Sequence, residues 1–207
     1  MYTPPAFREE NEAEIAAIMR AARLPILVTM GAELFATHLP LLHDPEPKPH
    51  GRLIGHVARA NPQWRNFDPA VPALAIFQAS DAYISPSWYA TKQENGRVVP
   101  TWNYQAVHAY GRLEVIEDAE RLHDIVRRLT DRHEAGRAHP WQASDAPEDY
   151  IRAQLKGIVG LVMTVEKLIG KSKLSQNRSE SDRLGAIAGL AASGEDAMAA
   201  LMRSRES

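Results

Sequence analysis

The fold of this chain is decided by the stretch "VPTWNYQAVHAYG", residues 99 to 111. Its β-branched and aromatic content and its continuation to residue 116 predict the longest strand of the protein. Because side chains alternate across a strand, one face should point to the core: Val107, Ala109, Leu113 and Val115. The other face carries flat and hydrogen-bonding groups: Trp102, Tyr104, His108, Tyr110 and Arg112. That face suits stacking on a planar heterocycle, with Asn103 bonding its ring, although cross-strand packing is the commoner reason for such aromatic residues.

The rest of the chain shows strand patterns interrupted by a few helices. Strands are predicted at 26–30, 33–37, 72–80 and 158–166, and helices at 11–22, 118–134, 184–191 and 195–203. Residues 38–51 and 83–96 are predicted as loops, the second after a short strand, and 52–61 as one or two helical turns ended by Pro62. The strands do not alternate with helices of crossover length. The sequence therefore predicts an α+β protein with a mainly antiparallel sheet or barrel and helical decorations.

Composition excludes several functional classes. The 207 residues contain no cysteine, which removes disulfides, thiolate nucleophiles and cysteine-based metal sites. The eight histidines show no HxH or HxxxH spacing, so no metal site is expected. The formal net charge of -2 gives no global field for nucleic acid. No apolar run reaches the roughly 20 residues of a membrane helix, and a cytoplasmic protein is expected.

Two polar clusters have the chemistry of an anion site. If 52–61 is a helix, Gly51 and Arg52 lie at its N-terminus, where free amides, the helix dipole and a guanidinium attract phosphate, and His56 lies one turn on. The alternative is a capped surface helix in which His56 only packs. The second cluster is "KLSQNRS", residues 173–179, which can clamp a phosphate or a ribityl chain or can be a solvated loop.

These clusters occur in the order found in a known family. The pieces "MYTPPAF", "THLPLL", "GRLIGHVARANPQW", "YISPSWY", "VPTWNYQAVHAYG" and "KLSQNR" span nearly the whole chain. Together they resemble the PaiB-type family of FMN-binding split-barrel proteins, which are labelled negative transcriptional regulators. The resemblance implies a split β-barrel over residues 1–170, and residues 171–207 as a polar connection and C-terminal helices packing on the barrel or a dimer partner.

The resemblance also implies a homodimer with FMN at the subunit interface. Transferred by motif position, the cofactor-binding residues would be Thr37, His38, Gly51, Arg52, His56, Arg59, Trp102, Asn103, Tyr104, Lys173, Gln176, Asn177 and Arg178. No sequence pattern identifies an essential acid or base, so no catalytic residue is assigned. His38, His56 and His108 are the side chains that titrate near neutrality without help.

Two functions follow from this resemblance. One is a negative regulator of protease-production and sporulation genes that acts indirectly, because no basic recognition helix is evident. The alternative is an FMN-dependent oxidoreductase, a flavin reductase or oxidase, acting on an unidentified small molecule, in which the protein supplies orientation and electrostatics.

Overall fold

The computed structural model describes residues 1–205 and is built around one sheet of eight strands. The strands are β1 (Arg8–Glu9), β2 (Ile26–Met30), β3 (Leu34–His38), β4 (Leu42–Asp44), β5 (Arg52–Ala58), β6 (Ala73–Ile84), β7 (Thr101–Ile116) and β8 (Ile158–Lys173). Their order is β3-β2-β6-β7-β8-β5-β4, with β1 paired to β8. Every strand pair whose register is defined is antiparallel. Within residues 1–205 the order runs from one edge strand to another and does not close, which confirms the predicted fold class.

Seven α-helices accompany the sheet in the described part of the chain. They are α1 (Glu12–Ala21), α2 (Gln63–Asn66), α3 (Ala90–Asn95), α4 (Ala119–Glu134), α5 (Glu148–Leu155), α6 (Glu180–Ala192) and α7 (Asp196–Arg203). Their starts follow from capping chemistry. The Asn11 side chain accepts the Ala13 amide at 2.9 Å at the start of α1, and Asp118 accepts the Arg121 amide at 2.9 Å at the start of α4.

The chain forms two compact units, and β6, β7 and β8 contribute residues to both. One unit comprises 23–77 and 108–168. Its helix α4 buries an apolar stripe against the sheet, and this core consists of Ile54, Ile116, Leu122, Ile125, Leu129, Leu155 and Val162. Gly160 lies in β8 under this stripe, where an added Cβ would press on Ile125, Ile116 and Leu122. The helix therefore packs directly on the sheet.

The other unit comprises 1–22, 78–107 and 169–205 of the described residues. Its core lies between α6, α7 and the end of β6, and contains Ala82, Ile84, Tyr89, Leu174, Ala186, Ile187, Leu190, Met198, Ala199 and Met202. The indole of Trp88 packs on α6 at Gly189, where a Cβ would overlap its ring. The two C-terminal helices are thus an integral part of this core.

The structure agrees with most predicted elements and corrects several. Strand β7 and helices α1, α4, α6 and α7 are where the sequence predicts them. Val107 and Ala109 are fully buried as expected, whereas Leu113 and Val115 are half-buried because the buried position moves to Ile116 at the strand end. The predicted helix at 52–61 is wrong, since this segment is the strand β5. Apolar residues on both faces of β5 allow either assignment, and pairing with β4 and β8 decides it.

Other boundaries differ in length. The loop predicted at 38–51 contains β4, and the loop at 83–96 contains the end of β6 and the helix α3. Strand β8 runs to Lys173, so residues 171–173 belong to a strand and not to a polar connection. Among residues 1–205, no helix combines the length and the apolar composition needed to cross a bilayer.

Candidate functional site

A group of cations and aromatic rings gathers where β7 begins and β8 ends. We call Trp102, Tyr104, Lys171, Lys173 and Arg178 the lysine–aromatic patch. All five lie in the unit that comprises 1–22, 78–107 and 169–205. The Nζ atom of Lys171 is 4.9 Å from the centre of the Tyr104 ring, a cation–π contact between the neighbouring strands. Even-numbered side chains of β7 thus meet odd-numbered side chains of β8 on one face.

Lys171 is a cation that is almost wholly removed from solvent. Its residue is 7% exposed, and its ammonium donates to the carbonyl oxygen of Tyr2 at 3.2 Å. Within residues 1–205 no carboxylate is ion-paired to it. Burying a charge is costly unless the charge is compensated. The aromatic rings and one carbonyl compensate it only in part, so an anion at this face would be stabilised.

Lys173 is two residues further along the same strand face. Its ammonium donates to the Thr101 hydroxyl and, at 2.6 Å, to the Trp102 carbonyl. Burial, and then the positive charges of Lys171 and Arg178, lower the pKa of Lys173 below that of an ordinary lysine. Three mutually repelling cations at one place would be stabilised by a negatively charged group.

Arg178 and Trp102 give the patch flat surfaces. The guanidinium carbon of Arg178 lies 4.8 Å from the centre of the Tyr89 ring. Trp102 is 54% exposed and meets Tyr83 edge-on, with ring centres 5.9 Å apart. An exposed indole held in place by a second ring can stack on a planar ligand.

Ser175 and Gln176 stabilise, through hydrogen bonds, the turn after β8 that joins Lys173 to Arg178. Ser175 has a φ of 64°, and its hydroxyl donates to the Asn103 side-chain oxygen at 3.1 Å. Gln176 accepts the Leu174 amide at 2.7 Å and donates to the Ser172 carbonyl at 2.6 Å. Asn103 is fully buried, and its amide nitrogen lies 3.3 Å from the Met202 sulfur. The structure therefore gives Asn103 and Gln176 partners inside the chain, while Asn177 is exposed.

Arg52 and Gly51 do not lie at a helix N-terminus, and the sequence-based phosphate site there is wrong in its geometry. Gly51, at φ 71°, precedes the strand β5, and a Cβ there would overlap the Asp44 carbonyl. Arg52 donates to the Asp44 carboxylate through Nε at 3.2 Å and Nη2 at 3.0 Å. Arg128 of α4 donates to the same oxygen at 2.9 Å. The guanidinium of Arg52 thus ties β5 to β4.

This Asp44 bridge predicts acid sensitivity. Burial alone raises the pKa of Asp44, but hydrogen bonds from Arg128, the Glu46 amide and Arg52 outweigh it, so the pKa lies below that of an ordinary aspartate. A carboxyl with a depressed folded pKa stabilises the fold above its unfolded pKa, and this contribution disappears as pH falls through the folded value. We expect Asp44→Asn to lower the free energy of unfolding by about 1–2 kcal/mol at pH 7.

The same substitution should change stability little at a pH below the folded pKa of Asp44, where the carboxyl is already protonated. Urea unfolding at neutral and at acid pH measures this difference. Asp124→Asn, which removes an exposed partner of Arg127, is the matched control and should have a small effect at both pH values. An equal loss at both pH values for Asp44→Asn would contradict the electrostatic role.

Three further residues predicted to bind the cofactor, Thr37, His38 and Arg59, lie in the unit that comprises 23–77 and 108–168. Arg59 donates to the carbonyls of Lys156 at 2.9 Å and Ile158 at 3.2 Å, and to Glu117 at 2.6 Å. Thr37 accepts the Asn61 side-chain amide at 3.0 Å, and His38 is exposed. The guanidinium of Arg59 is therefore committed to holding β5 beside the start of β8.

His56 and His108 are half-buried histidines whose Nδ1 atoms have no hydrogen-bond partner among residues 1–205. Burial lowers the pKa of both rings, which favours their neutral form. His56 borders a cavity of about 300 Å³ whose wall includes His133 and Trp141. Neutral imidazoles can accept or donate a proton. Thr130 and Glu134 line the same cavity as His56, but within residues 1–205 no hydrogen bond joins either Nδ1 atom to an acidic or nucleophilic group, so no catalytic pair is defined.

Sequence reasoning missed Lys171 and Tyr83 as parts of the site. The alternating pattern of 158–166 stops before Lys171, which therefore falls in the predicted polar connection, whereas β8 runs to Lys173. The spacing of two between Lys171 and Lys173 was the available signal, since it places both on one strand face. Nothing in the sequence links Tyr83 to Trp102, because the pair forms only when β6 and β7 meet.

The chain is similar to known proteins over most of its length. Residues 1–167 match the family described as "Putative FMN-binding domain". The "Protease synthase and sporulation protein PAI 2" of Bacillus subtilis is 38% identical over 188 residues, which cover 90% of this chain and 87% of that protein.

Solved structures share the fold at low sequence identity. The FAD and heme binding protein of Mycobacterium smegmatis superposes with a TM-score of 0.60 at 14% identity, covering 86% of this chain and 79% of that one. The flavocytochrome Anf3 of Azotobacter vinelandii gives 0.57 at 16% identity, with coverage of 80% and 69%. Together with the family match, these findings confirm the resemblance seen in the sequence. The chain belongs to the PaiB-type family of FMN-binding split-barrel proteins.

Proposed function

We propose that this protein binds FMN at the lysine–aromatic patch. The observation that carries the proposal is that Lys171, Lys173 and Arg178 lie together with no ion-paired carboxylate within residues 1–205. Beside them, Lys173 donates to the backbone carbonyl of Trp102, whose indole is exposed. FMN has the complementary chemistry, a flat ring system and a phosphate. Charge-assisted hydrogen bonds to phosphate are strong, and aromatic faces favour stacked rings. The donor set therefore fits the cofactor that the family description names.

The residues of the patch have distinct tasks in this proposal. Lys173 and Arg178 hold the phosphate, while Trp102 and Tyr104 hold the ring. Asn103 and Gln176 act indirectly, because their hydrogen bonds fix β7 and the turn after β8. Bound FMN would supply electron or hydride transfer, and the protein would supply orientation and electrostatics. Thr37, His38, Gly51, His56 and Asn177 stay further candidates for cofactor contacts, whereas Arg52 and Arg59 are engaged by other partners.

We infer a regulatory role as the first function. The relative from Bacillus subtilis is named for protease synthesis and sporulation, and the proposal is that this chain lowers expression of such genes in response to flavin. Indirect action is favoured because the net charge is -2. Direct DNA binding would show a steep salt dependence from counterion release. A salt-dependent gel shift on promoter DNA would contradict the indirect mechanism.

The second candidate is an FMN-dependent oxidoreductase, and the exposure of Trp102 favours it. An indole that is 54% exposed beside Tyr83 leaves a flat surface for a second planar reactant. A flavin reductase would bleach the flavin absorbance anaerobically on addition of NADH or NADPH. Unchanged absorbance with both donors would leave the regulatory role as the better account.

We also propose that the protein forms a homodimer around FMN. A homodimer with FMN at the subunit interface would cover the exposed side chains of Tyr2, Val99 and Trp102, which are 84%, 64% and 54% exposed. Light scattering with and without FMN tests the dimer.

A chain without cysteine needs no oxidising compartment, and the cytoplasm is the proposed location.

The deciding experiment is a pair of titrations of the flavin-free protein, one with FMN and one with riboflavin. Quenching of the flavin fluorescence measures binding in both. Tight FMN binding with much weaker riboflavin binding is expected, because only FMN presents a phosphate to the cations. Absence of FMN binding would refute the proposed function. Equal affinity for both flavins would refute the assignment of the phosphate to the patch.

Trp102→Ala should weaken both flavins. Loss of an aromatic stacking pair costs about 0.5–1.5 kcal/mol beyond buried area, which corresponds to a loss of affinity of about twofold to twelvefold. The same titration measures the change. Tyr150→Ala, which removes another exposed aromatic side chain outside the patch, is the control and should leave both affinities unchanged. An unchanged affinity in Trp102→Ala would show that this indole does not touch the flavin.

A further inference from the structure

The amine of Lys173 has an unusual set of neighbours for a lysine. Two oxygen acceptors hold its nitrogen, the Thr101 hydroxyl and the Trp102 carbonyl. An ammonium group has three N–H donors, whereas a neutral amine has two and a lone pair. Lys173 can therefore lose a proton, keep both hydrogen bonds and direct its lone pair away from them. The two acceptors would then orient a nucleophile.

The charges around Lys173 favour that neutral form. Lys171 lies on the same face of β8 and Arg178 follows the turn, and both repel the ammonium charge. No carboxylate within residues 1–205 is ion-paired to Lys173. Together with burial, this lowers the pKa of Lys173, so more of its amine is neutral at a given pH than for an exposed lysine. Desolvated lysines next to other cations are the type that form Schiff bases.

We propose that, when no flavin occupies the lysine–aromatic patch, Lys173 is a nucleophilic amine that condenses with anionic aromatic aldehydes docked there. The ligand class follows from the walls of the site. Lys171 and Arg178 attract the anionic group, and Trp102 and Tyr104 accept a flat ring. This activity goes beyond cofactor binding, since the ligand becomes covalently attached to the chain.

The reaction needs no oxidant or reductant. The lone pair of Lys173 forms a C–N bond to the aldehyde carbon while the C=O π bond breaks, and a proton moves from nitrogen to oxygen to give a carbinolamine. Loss of the hydroxyl group and of a proton as water then gives the imine. The Thr101 hydroxyl, which is hydrogen-bonded to the amine, is placed to relay a proton during these steps. The net change is amine plus aldehyde to imine plus water.

The test uses 4-formylbenzoate, a planar aldehyde with one carboxylate, and traps the imine by reduction with borohydride. Peptide mapping by mass spectrometry then locates the secondary amine. Most of the label is expected on Lys173. Lys92, an exposed lysine that donates to the Ser87 hydroxyl at 3.1 Å, is the internal reference and should carry little. Neutral benzaldehyde should label Lys173 less than 4-formylbenzoate does.

Two variants complete the design. Lys173→Arg keeps the positive charge and removes the nucleophile, so the main label should disappear while Lys92 is labelled as before. Lys171→Met should reduce the preference of Lys173 for the anionic over the neutral aldehyde. Labelling of Lys92 as strong as that of Lys173 would overturn the proposal, as would equal labelling of Lys173 by both aldehydes in the unchanged protein.

Failure of this inference is separable from failure of the proposed function. FMN titration of the same unlabelled protein reports cofactor binding alone. Tight FMN binding without selective labelling would overturn the reactive lysine and leave the flavin site intact. Selective labelling without FMN binding would support the reactive lysine and remove the flavin site.

Discussion

Lys173→Met is expected to weaken FMN binding by about tenfold to a hundredfold and to change riboflavin binding little. The reason is that a hydrogen bond to a charged partner contributes about 1.5–3 kcal/mol, and each 1.4 kcal/mol is a factor of ten in affinity. Riboflavin lacks the phosphate and loses no such bond. Methionine keeps the length and flexibility of the side chain but removes its charge. Fluorescence titration of both flavins measures the ratio of the two losses.

The control for this experiment is Lys92→Met. Lys92 is an exposed lysine of α3 in the same unit, and it has no role in the lysine–aromatic patch. Its replacement removes the same charge and should leave both affinities unchanged. If Lys173→Met weakened the binding of FMN and of riboflavin equally, Lys173 would not contact the phosphate. The substitution would then act by changing the geometry of the strand.

Gly111→Val is expected to destabilise the protein by about 3 kcal/mol, near the upper end of overpacking effects. A Cβ at residue 111 would overlap the backbone carbonyl of Thr164 in the neighbouring strand. A flexible side chain could move away at small cost, whereas a backbone carbonyl in a sheet moves only with its strand. The midpoint of urea unfolding measures the change, with the slope used to check that cooperativity is retained.

Ala58→Val is the matched control for the glycine. Ala58 is an exposed strand residue of β5, and valine there adds a branched side chain to solvent. Its effect should stay within about 0.5 kcal/mol. Equal midpoints for the two variants would show that Thr164 can yield to a side chain at residue 111.

The periodic elements were predictable because their signal is local. The apolar stripe of α4 has the helical period, and Leu122, Ile125 and Leu129 are buried as that period requires. The alternation of Val107 and Ala109 with polar residues identifies β7 in the same way. Helix α4 and strand β7 each have one buried face and one more exposed face, so the sequence pattern alone specifies the element.

Strand β5 shows why such reasoning fails elsewhere. Leu53 and Val57 point to one face of the strand and Ile54 to the other, where it packs with α4, and all three are buried, so both faces are covered. A strand buried on both faces loses its alternation, and a short apolar run then fits a helix equally well. The error moved Arg52 to a helix end, while in the structure Arg52 pairs with Asp44, whose carboxylate also pairs with Arg128.

The sequence by itself determined the family, the α+β class, and the presence of cations and aromatic rings in "PTWNY" and "KLSQNR", because these depend on residue identity and short-range spacing. Only the tertiary structure decided which of these side chains meet. Lys171 contacts Tyr104, and Ser175 contacts Asn103, although the two residues of each pair are 67 and 72 positions apart in the chain. Such contacts depend on strand pairing and burial, which a local pattern does not encode.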